Sequence, residues 1–125
     1  MTLNALLEKF QQSPFDCFIV LYFLNLILDY PLQGEFLATN KSKNNYILFV
    51  HSAIWGIGIV LGLLILNLYG DYGWWKFFFL IFGHMLIDAW KCRGWYKKMN
   101  ISDWHSLYID QILHVVQIII CIVIV

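Results

Sequence analysis

Charge is what this sequence has least of. Only 13% of its 125 residues are Asp, Glu, Lys or Arg, about half of the ~25% usual in soluble domains. With 61% hydrophobic and 18% aromatic residues, and apolar runs too long for strands or ordinary core helices, that shortage excludes a soluble domain and predicts an integral membrane protein. An excess of either sign is also missing. The net charge of zero leaves no electrostatic footprint for nucleic acid. The cysteines, Cys17, Cys92 and Cys121, are odd in number and scattered, without a CxxC, so no disulfide framework is expected. Residues 1–14 lack a basic n-region and a small-residue cleavage site, so the first apolar run is expected to stay as a helix.

What is present divides into four apolar runs. They predict one all-α domain over 1–125, an integral membrane bundle of four transmembrane helices behind a short N-terminal interfacial segment. In that segment Leu3, Leu6, Leu7 and Phe10 fall near helical spacing, with Glu8, Lys9, Gln11 and Gln12 between them. Spans are expected near 15–32, 46–69, 74–91 and 104–125. Pro14 suits a helix start. The first run is short for a core that needs about 20 residues, and a kink at Pro31 with continuation toward Phe36 would lengthen it. Gly56, Gly58 and Gly62 allow close helix contact in the second span. The run Gly70-Asp71-Tyr72-Gly73 reads as a tight turn, and Trp74 and Trp75 as an interfacial belt.

Basic residues orient the bundle. Lys41, Lys43, Lys91, Arg93, Lys97 and Lys98 lie on the side of the first and third loops, and Lys9 and Lys76 on the other. The positive-inside rule then puts those two loops in the cytoplasm and both termini outside. Lys91, Arg93, Lys97 and Lys98, interleaved with Trp90, Trp95 and Tyr96, suit an anionic leaflet and are candidate phosphate- or headgroup-binding residues.

Against this apolar background the ionisable residues form a pattern. His84 and Asp88 are four apart in the third span, Asp110 and His114 repeat the spacing in reverse in the fourth, Asn25 and Asp29 repeat it in the first, and His51 stands alone in the second. Four residues bring two side chains onto one helix face, one turn apart. Counted from the loops at about 1.5 Å per residue, all seven fall within roughly 3–15 Å of the same membrane face. Buried ionisable groups are costly in a bilayer and mark function. Imidazole and carboxylate are ligands for zinc, iron or manganese, and facing helices carrying them at i and i+4 are a common way to build a metal site in a bundle. His51, His84, Asp88, Asp110, His114 and Asp29 are the expected ligands, with Asp29 and Asp88 also in reach of a catalytic role as general base. Asn25, Gln33 and Gln111 are the expected partners that orient them. Gln117, deeper in the fourth span, is placed outside the cluster.

The segments Asn25-Leu-Ile-Leu-Asp29-Tyr-Pro-Leu-Gln33, His51, His84-Met-Leu-Ile-Asp88 and Asp110-Gln-Ile-Leu-His114 resemble a family of small bacterial and phage membrane proteins called domain of unknown function 3307. The last two motifs match its pattern fully. The first departs from it, since Asn25 stands where the family's pattern has histidine, which takes a strong ligand from a second metal site. The motif style is also distantly similar to membrane-bound metal-dependent hydrolases of bacterial inner membranes, and this resemblance implies that location.

Three functions follow as expectations. The first is a hydrolase using a divalent transition metal, zinc foremost and then iron or manganese, on a membrane lipid or lipid-linked phosphate. The second is a proton or metal-ion relay, which so small a chain would support as a homo-oligomer. The apolar stretches 57–66, 77–82 and 118–125 offer that path no continuation. The third is a non-enzymatic, phage-type protein that binds a host membrane protein and uses the metal as a staple.

Overall fold

The computed structural model describes residues 2–11, 13–29 and 34–124, without the side chains of residues 7 and 9–11. Among the described residues every regular element is helical: α1 (Leu3–Gln11), α2 (Pro14–Asp29), α3 (Gly34–Asn40), α4 (Asn45–Ile65), α5 (Trp74–Cys92), a 3-10 turn (Trp95–Met99) and α6 (Asp103–Val123).

The helix ends are written in short polar signals. Ser13 precedes Pro14, and its Oγ accepts from the Asp16 N–H at 3.3 Å. Asn44 caps α4 by accepting from the N–H groups of Tyr46 and Ile47, and Ser102 caps α6 through His105 N–H. The second span was expected to run to residue 69, yet α4 stops at Ile65. Asn67 takes a left-handed conformation, φ 58°, while Leu68 N–H bonds Leu63 O at 2.7 Å and Asn67 N–H bonds Leu64 O. This is a Schellman stop with asparagine in glycine's usual place. Gly94, φ 71°, follows the end of α5 in the left-handed conformation, its N–H on Lys91 O at 3.2 Å. The Tyr96 hydroxyl donates to Asp103, tying the 3-10 turn to the start of α6.

Helices α2, α4, α5 and α6 close a ring in which α4 packs on α5, α5 on α6, α6 on α2 and α2 on α4. Gly56 sets the close contact between α4 and α5. A Cβ there would come within 2.4 Å of Ile81 Cγ1 and 3.2 Å of the Ile81 backbone nitrogen, so only glycine lets α4 and α5 approach this far. Gly58 and Gly62 face Leu28 and Leu21 of α2 in the same fashion.

The interior has two layers. One is apolar and includes Leu21, Ile59, Leu63, Leu80, Ile118 and Cys121. The other holds Asn25, Asp29, His51, His84, Asp110 and His114, none more than 5% exposed. The outside is lined by Phe23, Ile57, Leu61, Phe82, Leu86 and Ile112. Apolar side chains outward and ionisable ones inward suit a chain surrounded by lipid.

The four expected spans are reduced by composition. Helices α4 and α6, 21 residues each, are long and apolar enough to cross a membrane, and α2 with α3 makes a third if that pair, bent by 78°, is one span. Alone, the 16 residues of α2 reach about 24 Å at 1.5 Å per residue. Helix α5 has 19 residues, but Lys76, Asp88 and Lys91 lower its apolar character. The expected kink at Pro31 lies outside the described residues.

Candidate metal centre

The i, i+4 spacing does what the sequence requires of it. In α5, His84 and Asp88 both face the bundle axis, 0% and 3% exposed, and in α6 Asp110 and His114 do likewise at 2% and 0%. Asp29 comes from the last turn of α2 and His51 from the second turn of α4. The ring of helices therefore brings all six expected ligands into one buried layer.

Three donors make a closed triangle. His51 Nε2 lies 3.0 Å from His84 Nε2 and 3.4 Å from Asp29 Oδ1, and His84 Nε2 is 3.6 Å from the same Asp29 oxygen. A tetrahedral ion with ligands at about 2.0–2.2 Å has ligand–ligand edges of about 3.3–3.6 Å, so the triangle matches one face of such a shell. Asp88 Oδ2 stands 3.2 Å from His51 Nε2. Two histidines with one carboxylate is a donor set used by catalytic zinc and by non-haem iron.

A second pair flanks the first. His114 Nε2 and Asp110 Oδ1 are 3.3 Å apart, and neither atom has a hydrogen-bond partner among the described residues. Buried polar atoms are normally paired, and an imidazole nitrogen beside a carboxylate oxygen is suited to a cation. Three groups have donor atoms all within 4.8 Å of one another: Asp29, His51 and His84; His84, Asp88 and His114; and Asp29, Asp110 and His114. The residues present fit a divalent ion.

The surrounding contacts hold these rings and carboxylates still. Gln111 Nε2 donates both to Asp29 Oδ2, at 3.2 Å, and to Asp110 Oδ2, at 2.9 Å, so the outer oxygens of the two carboxylates share one amide. Asn25 acts one ring further away. Its Oδ1 accepts from Trp55 Nε1 at 2.8 Å, and the Trp55 indole stacks on His84 with centroids 4.3 Å apart. Gln33 lies outside the described residues.

Three residues were missed as parts of the site. Lys41, counted from sequence only as a loop charge, reaches Asp88 Oδ2 with its Nζ at 3.0 Å. Trp55 drew no expectation from the sequence, yet it stacks on His84 and donates to Asn25. Gln117 was placed too deep, yet its Oε1 is 3.3 Å from His114 Nδ1, and its Nε2 bonds the Phe79 carbonyl. One further helical turn from His114 was the available signal. Of the four expected headgroup-binding residues, Lys97 and Lys98 are exposed on the 3-10 turn, Lys91 is half-buried, and Arg93 donates to Asn45 Oδ1. The cation that touches the cluster is Lys41.

Fold and site together define a helical protein of membrane character with buried His/Asp groups able to hold a metal ion. The chain belongs to the family described as protein of unknown function (DUF3307), whose model matches residues 17–125. No curated protein and no solved structure matches it.

Proposed function

We propose that this chain is a metal-dependent hydrolase of the bacterial inner membrane, acting on a lipid or lipid-linked phosphate from the cytoplasmic side. The observation that carries the reading is the triangle of Asp29, His51 and His84, with edges of 3.0, 3.4 and 3.6 Å and Asp88 beside it. Three protein donors with an open position distinguish a catalytic from a closed structural site. Zinc suits the set best, with iron or manganese next. A bound divalent ion would lower the pKa of a water and polarise a phosphoryl oxygen. Asp88, held by Lys41 and 3.2 Å from His51 Nε2, would serve as the general base that takes the water's proton. Lys41 also adds positive charge for an anionic headgroup, and Lys91, Arg93, Lys97 and Lys98 belong to the same end of the bundle.

Four crossings fit this reading. The charges of α5 point inward, with Lys76 1% and Asp88 3% exposed, while Phe78, Phe82 and Leu86 face out, so its lipid-facing surface is more apolar than its composition. The excess of basic residues puts the site's end in the cytoplasm. The apolar layer beneath the cluster supports a one-sided site over a relay through the membrane. The test is turnover of lipid phosphates by reconstituted, metal-loaded protein, compared with Asp88→Asn. Activity lost in the variant, with metal retained, is the expected result. Equal turnover would refute the role of Asp88.

A further inference from the structure

Five of the six donors, all but Asp88, fall into two sets that share one carboxylate. We infer that the centre holds two divalent ions bridged by Asp29, an inference that rests on the metal-centre reading above. The first set is Asp29, His51 and His84, and the second is Asp29, Asp110 and His114. His114 is 0% and Asp110 2% exposed, and His114 Nε2 and Asp110 Oδ1, with no hydrogen-bond partner among the described residues, face each other at 3.3 Å.

Ring geometry supports two ions over one. The imidazoles of His84 and His114 are stacked, 21° from parallel, with centroids 4.1 Å apart. A centroid spacing of 4.1 Å is close to the separation of about 3.5–4 Å between paired catalytic ions, so each ring can serve its own ion. The stack is pinned from both sides, by Trp55 against His84 and by Gln117 on His114 Nδ1. Gln111 binds the outer oxygens of both Asp29 and Asp110, so one amide aligns the bridge with the second set. Asn25 enters neither set. Its carbonyl oxygen is used by Trp55, so its standing in for a ligand histidine does not remove the second ion.

Charge fits the same arrangement. Asp29, Asp88 and Asp110 with Lys41 sum to −2 when ionised, and two divalent ions bring the centre to +2. A buried centre of that sign takes up an anion, which gives a phosphate-bearing substrate or a hydroxide a place to bind.

The experiment is cobalt(II) titration of the detergent-purified full chain, with bound metal counted by mass spectrometry and ion–ion coupling read by electron paramagnetic resonance. The wild type is expected to bind two equivalents with a coupled signal. Asp110→Asn with His114→Gln should keep one uncoupled equivalent, His51→Gln should keep the other, and Asp29→Asn should lose the coupling. Helical circular dichroism and elution volume check that each variant is folded. One equivalent in the wild type, lost in both variant classes, would overturn the paired centre and leave the single-metal hydrolase standing. No binding at all would overturn both.

Discussion

Replacing Lys41 by methionine separates two cations that compete for one carboxylate. Lys41 Nζ lies 3.0 Å from Asp88 Oδ2, with side-chain exposures of 15% and 4%. At an effective dielectric of about 20, unit charges at that distance attract by roughly 5 kcal/mol. Removing one member of a buried pair costs about 3–5 kcal/mol, and the partial exposure of Lys41 places this case near 3 kcal/mol. A divalent ion in the adjacent triangle also compensates Asp88, and the cost should then fall to about 1 kcal/mol. The difference of about 2 kcal/mol corresponds to roughly 30-fold tighter metal binding in the variant. The assay is a metal titration beside thermal unfolding in detergent, with and without metal. Lys41→Met should melt lower than wild type without metal, approach it with metal, and bind metal more tightly, while Lys43→Met, exposed in the same loop, should change neither. Metal affinity unchanged or weaker in Lys41→Met would refute the competition.

Other consequences follow from the same contacts. Metal ligands bind deprotonated, so protons compete with metal for His51, His84 and His114. Affinity should fall as pH drops below the ordinary histidine value of about 6.5, read as metal released in dialysis between pH 7 and 5; retention at pH 5 would count against histidine ligation. Gly56→Val puts a side chain into Ile81, and its overpacking should cost about 1–3 kcal/mol, measured as a lower melting temperature; no change would mean that α4 and α5 are not in contact there. Gln117→Leu removes the partner of His114 Nδ1 and should weaken metal binding about 10–100-fold, as loss of a ligand's orienting partner does. A fall in melting temperature alone would limit Gln117 to packing.

The parts of the site legible in sequence were those fixed by helical period. His84 with Asp88 and Asp110 with His114 needed only the i, i+4 rule to share a face, and His51 and Asp29 followed from counting turns down from the loops. The helix start at Pro14 was equally local. Lys41 was not legible, because its reach depends on the path of a loop between α3 and α4 and not on any period. Trp55 was hidden for a different reason. Its ring is apolar, and its role comes from a stack on His84 in another helix and a bond to Asn25 in a third. The early stop of α4 was a local signal read too weakly: an apolar run suggests continuation, and Asn67 in the left-handed region ends it.

The central claim is that this buried layer binds metal. Elemental analysis of detergent-purified protein, beside a His84→Ala/Asp88→Ala variant shown to be folded, tests it most directly. Stoichiometric zinc, iron or manganese in the wild type and its loss in the variant is the predicted result. Metal absent from both, even after each ion is added back, would contradict the account and leave His51, His84, His114 and their aspartates as a polar network within the bundle.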